Sequence, residues 1–149
     1  GIWGHSTGGE IALQMVTCRQ NIDAIVIFGS MGADMVDNIP LVVRERGDIG
    51  EQALERYGPP DEAPEVWAKL SPITYLADAS GPIAIHHGRW DEEVPYELSD
   101  KLWATMQAAD IPGEYFFYPD QHHVFIGTDW TLAMQRTVAF FDRHVKDMS

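Results

Sequence analysis

One cysteine, Cys18, in a chain of 149 residues excludes an intrachain disulfide, so the fold must be held by burial and hydrogen bonding. No run of 18 apolar residues is present, which excludes a membrane-spanning helix from this stretch. Positive charge is scarce: 10 Lys and Arg against 23 Asp and Glu give a net charge of −13. Such a surplus of carboxylates repels phosphate backbones and anionic bilayers over a Debye length, and so argues against a nucleic-acid partner. Internal repeats and low-complexity tracts are missing as well. The content that remains, 45% of it apolar, is enough for a globular core.

The chemistry-bearing stretch stands at the start. Gly4-His5-Ser6-Thr7-Gly8 fits Gly-x-Ser-x-Gly, a sharp strand-to-helix turn that lifts a serine hydroxyl above a sheet edge. Side chains at positions 4 and 8 are expected to force strand and helix apart, which is the reason for two glycines. Ser6 then sits at a helix N-terminus, where the helix dipole and the free N–H of Thr7 favour negative charge on a substrate oxygen.

Downstream of the turn, Ile11, Met15 and Cys18 recur at helical spacing beside Ala12 and Val16, which predicts a buried helix over 7–19 with Cys18 as core filler. Ile22 to Phe28 is almost wholly apolar and β-branched, as expected of a strand covered on both faces. The pattern then loosens over 31–79 into short amphipathic pieces, Leu41 to Arg46, Glu51 to Tyr57 and Asp61 to Leu70. We read an insertion of short helices, with Met31, Met35, Tyr57, Trp67 and Tyr75 available to line a pocket.

Pro82 to His86 predicts a third strand. Leu98, Leu102, Met106 and Ala109 predict a helix, and Glu114 to Tyr118 a fourth strand. Trp130, Met134, Val138, Phe141 and Val145 form the apolar stripe of a final helix. Helices linking successive strands imply an α/β fold with a mainly parallel sheet.

Three polar residues fall just beyond the C-terminal ends of three strands: Ser6, Asp91 and His123. Parallel strands share that edge, and sites form there. A hydroxyl, a base to take its proton and a carboxylate to orient the base are what nucleophilic catalysis requires. Glu92, Glu93 and Asp120 compete with Asp91, and His122 competes with His123. The pairs His86-His87 and His122-His123 also admit a metal-binding reading, which lacks a nearby cysteine or a His-Glu-x-x-His pattern.

Four stretches carry a resemblance: Gly4 to Gly9, Ser71-Pro72-Ile73-Thr74-Tyr75, His87 to Pro95, and Tyr118-Pro119 through His123 and Phe125. Together they resemble the catalytic domain of the prolyl oligopeptidase family, within the α/β-hydrolase superfamily, over nearly the whole chain. The resemblance implies a C-terminal half of that fold, a partial catalytic domain over 1–149 that begins at the nucleophile turn. It maps the triad onto Ser6, Asp91 and His123. In this fold the N–H after the nucleophile, here Thr7, is one oxyanion donor, and His5, Met31, Trp67, Trp90 and His122 are read as candidate pocket residues. No cofactor or metal is implied. The family usually has glycine where His122 stands. The second oxyanion donor would come from an earlier loop outside this sequence, and the strand at Gly1 to Trp3 would be left as an unpaired edge open to association.

The resulting expectation is a serine hydrolase that cleaves a short peptide or small ester through an acyl-enzyme. Related carboxylesterases and dienelactone-hydrolase-like enzymes carry similar stretches and form the alternative. A non-catalytic half that needs its missing segment or a partner is the alternative of another class. A leader peptide would lie ahead of Gly1, so the compartment is left open.

Overall fold

The computed structural model describes residues 1–19 and 21–146. Four parallel strands lie side by side in chain order: β1 (Ile2–His5), β2 (Ile25–Phe28), β3 (Ile83–Gly88) and β4 (Gly113–Tyr118). Between them run α1 (Thr7–Cys18), an insertion, and α5 (Glu97–Ala108), and α6 (Gly127–His144) follows β4. The insertion holds α2 (Met35–Glu45), α3 (Gly47–Tyr57), α4 (Pro64–Leu70) and a 3-10 segment (Pro72–Asp78).

Strand alternation divides the core in two. Ile25, Ile27, Ile83 and Ile85 point to one face and pack with Ala12, Leu13 and Val16 of α1, Leu76, and Leu102 and Met106 of α5. Val26, Phe28, Ala84 and Tyr118 point to the other, against Ala133 and Phe140 of α6. Fully burying one side chain of this size contributes about 1.5–3 kcal/mol. A smaller cluster of Met31, Leu41 and Val94 joins the insertion to the loop after β3. Among the described residues, no helix is long and apolar enough to cross a membrane.

Several expectations need correction. The stripe Ile11, Met15, Cys18 does not face the core: all three are exposed, and the buried face of α1 is Gly9, Ala12, Leu13, Val16 and Thr17. Cys18 is therefore a surface thiol. On α6, likewise, Ala133, Thr137 and Phe140 face the sheet, while Trp130 and Val138 of the predicted stripe are exposed. The reason is shared. The buried faces mix small Ala12 and Ala133 with large Leu13, Val16 and Phe140, so a stripe chosen by side-chain size alone points elsewhere. Strand β2 starts later than Ile22, because the Ser80 hydroxyl takes both the N–H and the carbonyl of Ile22 away from the ladder. Helix α2 starts earlier than Leu41, capped by Asp34, whose carboxylate accepts from Val36 N at 3.0 Å. Pro40 inside the helix hides that start from the sequence pattern.

Candidate active site

The turn at Ser6 is set by close approach. Ser6 has φ 57° and ψ −124°, one of two positive-φ residues other than glycine among those described. Such torsions are costly for a side-chain-bearing residue and persist only where the surroundings impose them. A Cβ on Gly4 would lie 2.2 Å from the Gly8 carbonyl oxygen, and one on Gly9 would lie 2.5 Å from the Ser30 hydroxyl. Gly8 corrects the expectation, since a Cβ there meets nothing within 4 Å. Gly4 lets β1 and α1 meet, and Gly9 lets α1 close on Ser30 after β2. The turn is pinned further by Ser6 N donating to Phe28 O at 2.9 Å and by Met31 N donating to Ser6 O at 3.3 Å.

The loops after β3 and β4 are joined to each other before they carry any chemistry. Arg89 N donates to Tyr118 O and Trp90 N to Gln121 O, both at 2.9 Å. This is possible because Gly88 has no side chain: a Cβ there would sit 2.4 Å from Gln121 O. Asp91 follows immediately, its Oδ1 accepting from Glu93 N at 3.0 Å and from Val94 N at 2.7 Å. Across the gap, His123 Nδ1 lies 3.0 and 2.9 Å from the two carboxylate oxygens and donates to them. Both side chains are buried, at 4% exposure for His123 and 0% for Asp91.

Burial alone would push the Asp91 carboxyl up. Hydrogen bonds from His123, His87 and the Val94 N–H outweigh it and hold the group well below the usual carboxylate range. For His123 the bond to Asp91 is the leading influence and raises the ring above the ordinary imidazole value; burial opposes it, and the charges of Asp91, Glu93 and Glu92 add to it. The two shifts have the signs of one coupled pair.

Ser6 is tied to this pair through its neighbour. His5 donates from Nε2 to the His123 carbonyl at 2.9 Å, and the two rings pack at 4.5 Å. Gly29, at φ +45°, passes beneath: a Cβ there would come within 2.9 Å of Asp91 Oδ2 and 3.2 Å of His123 Nδ1. Among the described residues no hydrogen bond joins the Ser6 hydroxyl to His123, whose Nε2 lies 3.4 Å from Glu93 instead. Glu93 and Ser6 line one cavity of about 310 Å³ together with Thr7, Met31, Val42 and Ile49.

The other sequence-named residues divide. Met31 lines the Ser6 cavity, and His5 lines a neighbouring one of about 200 Å³ with His123 and Phe125. Trp67 is buried, donates to Gly58 O, and walls an apolar cavity of about 200 Å³ with Met35, Val42 and Ile49. Trp90 and His122 face solvent; Arg89 lies over the Trp90 ring, and His122 meets Glu92 at 3.1 Å. A groove of about 520 Å³ runs along Trp130, Met134 and Val138 of α6 and carries none of Ser6, Asp91 or His123. Among the described residues no three His, Cys, Asp or Glu side chains gather as a metal ion needs.

Sequence reasoning passed over the contacts of Gly29, Glu93 and His87. Gly29 had a signal, a glycine closing an apolar strand run. The other two had none, since their roles come from loops that meet only in three dimensions.

A parallel sheet flanked by helices, with a strained serine turn and an Asp-His pair along its C-terminal edge, is an α/β-hydrolase arrangement. The model of the prolyl oligopeptidase family matches residues 1–148, and the chain belongs to that family. Dipeptidyl aminopeptidase BIII of Pseudoxanthomonas mexicana is 35% identical over 77 residues, which are 50% of this chain and 11% of that protein. Acylaminoacyl peptidase of Pyrococcus horikoshii superposes with a TM-score of 0.78 at 19% identity, covering 100% of this chain and 24% of its own. A puromycin-hydrolyzing peptidase of Mycobacterium tuberculosis gives 0.77 at 17% identity, covering 96% and 21%. The chain thus spans about a quarter or less of the length of these relatives.

Proposed function

We propose that this chain is the C-terminal part of the catalytic domain of a serine peptidase, with Ser6 as nucleophile, His123 as base and Asp91 as its orienting carboxylate. The observation that carries the proposal is the buried Asp91–His123 bond at 2.9 Å, held beside the strained Ser6 turn by the bond from His5 to the His123 carbonyl. Membership of a peptidase family makes a peptide bond the first substrate class to test, with a small ester as the accessible surrogate.

In this reading Ser6 Oγ attacks the scissile carbonyl carbon and gives its proton to His123 Nε2. The imidazolium so formed is stabilised at Nδ1 by Asp91, which keeps its negative charge throughout. The carbonyl oxygen becomes an oxyanion facing the Thr7 N–H at the start of α1. Collapse breaks the bond to the amine, which leaves with the proton from Nε2; water then repeats the sequence on the acyl-Ser6 ester. Before substrate arrives, Nε2 faces Glu93, and among the described residues no hydrogen bond joins it to the Ser6 hydroxyl. Catalytic hydrogen bonds of this type commonly tighten only in the substrate complex.

The test is covalent. A fluorophosphonate probe applied to the protein at its full natural length is expected to modify Ser6, located by peptide mass spectrometry, and Ser6→Ala is expected to abolish both labelling and hydrolysis. Labelling at another serine, or ester turnover unchanged in Ser6→Ala, overturns the assignment.

A further inference from the structure

Behind the Asp91–His123 pair lies a buried titratable side chain that the mechanism above does not use. His87 is 0% exposed on β3, adjacent in sequence to His86, whose ring packs on the opposite face of the sheet against Phe28 and Tyr118. Three groups from the other side meet the His87 ring. The Ser99 hydroxyl on α5 is 2.7 Å from Nδ1, the Val94 carbonyl is 3.0 Å from Nε2, and Asp91 Oδ2 is 3.1 Å from that same Nε2.

These partners dictate where the proton sits. A carbonyl and a carboxylate only accept, so Nε2 must carry hydrogen. With one proton on the ring, Nδ1 is an acceptor and the Ser99 hydroxyl donates to it. Every polar atom of the ring is then satisfied, with the N–H dipole beside the carboxylate.

The consequence falls on one oxygen. Asp91 Oδ1 is fixed by two backbone N–H groups, from Glu93 and Val94, whereas Oδ2 takes none from the backbone. Among the described residues, the polar hydrogens near Oδ2 come from His123 and His87. His123 has to move a proton in each turnover; His87 is locked between β3, the 91–94 turn and α5. A carboxylate that must hold an imidazole still is better held from its far side by a group that does not itself react.

We infer that His87 is a positioning residue for the reaction: its Nε2–H fixes Oδ2 of Asp91, and through Asp91 the ring of His123, while Ser99 sets the tautomer that makes this possible. The inference rests on the proposed triad. It gives the paired histidines of this strand end separate tasks, with His86 in the core and His87 behind the carboxylate.

Two amides separate the donor from the mere presence of a polar side chain. Glutamine places its NH2 near the depth of Nε2, and asparagine stops near the depth of Nδ1. In the enzyme at its full natural length, His87→Gln is expected to keep kcat within about threefold, whereas His87→Asn and His87→Leu lose about 10- to 100-fold, the usual range for outer partners of a reacting group. The loss is expected in kcat with KM unchanged, because no substrate atom is touched. Thermal unfolding is recorded for each variant. Retention of kcat by both His87→Asn and His87→Leu overturns the inference, as does a His87→Gln variant as slow as His87→Asn, which would mark ring shape rather than the donor as the requirement. If neither His87→Asn nor His87→Leu unfolds cooperatively, the residue is structural and the inference falls. Asp91→Ala run alongside separates the two levels: full activity there removes the triad reading itself, while an inactive Asp91→Ala with an active His87→Leu removes only the role of His87.

Discussion

At the scale of single residues, protonation of His123 decides, in the proposed mechanism, when the site can work. Its pKa is raised by the bond to Asp91, and only the neutral ring can accept the Ser6 proton. The rate is therefore expected to climb as pH rises through a value above the ordinary imidazole pKa of about 6.5. Stability runs the other way: the imidazolium–carboxylate pair contributes fully below the unfolded pKa and is lost as pH rises through the folded one. Glu93, 3.4 Å from Nε2, adds to the raised value, so Glu93→Gln is expected to move the acid limb of kcat/KM to lower pH. An unmoved limb would mean that Glu93 does not reach the ring in solution.

The two adjacent imidazoles can be told apart in the same assay. His123 is buried against Asp91, whereas His122 is exposed and meets Glu92. His123→Ala is expected to cost on the order of 10³ or more in kcat, and His122→Ala roughly tenfold or less. The reverse ranking would shift the base by one residue. His86 gives a third expectation. Arg136 donates to the Tyr118 hydroxyl and Tyr118 meets His86 Nδ1 at 2.8 Å, which leaves the fully buried Nε2 without a partner. Burial, assisted by Arg136, pushes this ring down to about 3, so its contribution to stability is present above pH 6.5 and is lost as pH falls from there toward that value. His86→Phe keeps the stack on Phe28 and removes the orphan N–H, worth about 1 kcal/mol or more. A higher Tm at pH 5 is expected, with a smaller gain at pH 8; a lower Tm at both would show that the Tyr118 contact outweighs the orphan.

At the scale of elements, the strand-turn-helix at Ser6 was legible because its determinants are local. A glycine pattern, a short strand and the helix that follows lie within about a dozen residues, and the order Ser, Asp, His along the sheet edge followed from topology. Helix faces were less legible. The buried sides of α1 and α6 mix small residues, Ala12 and Ala133, with large ones, Leu13, Val16 and Phe140, and which stripe turns inward depends on the sheet beneath. The contacts of His5, Glu93 and His87 were illegible for the related reason that each joins segments far apart in sequence. The turn itself makes an unequal pair of predictions. Gly4→Ala drives a Cβ into the Gly8 carbonyl, an immovable backbone atom, and is expected to cost several kcal/mol or prevent folding. Gly8→Ala meets open space inside a helix and is expected to be neutral or slightly stabilising, by up to about 1 kcal/mol. Urea melts of the two variants decide it; equal destabilisation would mean that both glycines are needed for torsion rather than for space.

At the scale of the whole molecule, the 149 residues bury two core layers but leave one side apolar. β1 is an edge strand whose Trp3 packs at 5.6 Å on Phe28, and the same surface continues through Trp130 to Val138 on α6. Trp3 is 46% exposed and Val138 59% exposed, beside a groove of about 520 Å³. An open edge and an apolar patch together favour association, while the net charge of −13 opposes it by mutual repulsion. Salt screens the second effect and leaves the first. The 149-residue chain made alone is therefore expected to associate with rising concentration, and more strongly at 0.5 M than at 0.05 M NaCl, as read by sedimentation velocity. Val138→Lys puts a charge in the middle of the patch at no cost to the sheet-facing side of α6, and is expected to weaken association about tenfold while leaving the far-UV spectrum and Tm unchanged. Association that is equally strong in Val138→Lys but lost in Trp3→Lys would assign it to the β1 edge alone. A chain that stays monomeric at every concentration and salt level would show that its own charge is sufficient to keep the apolar side apart.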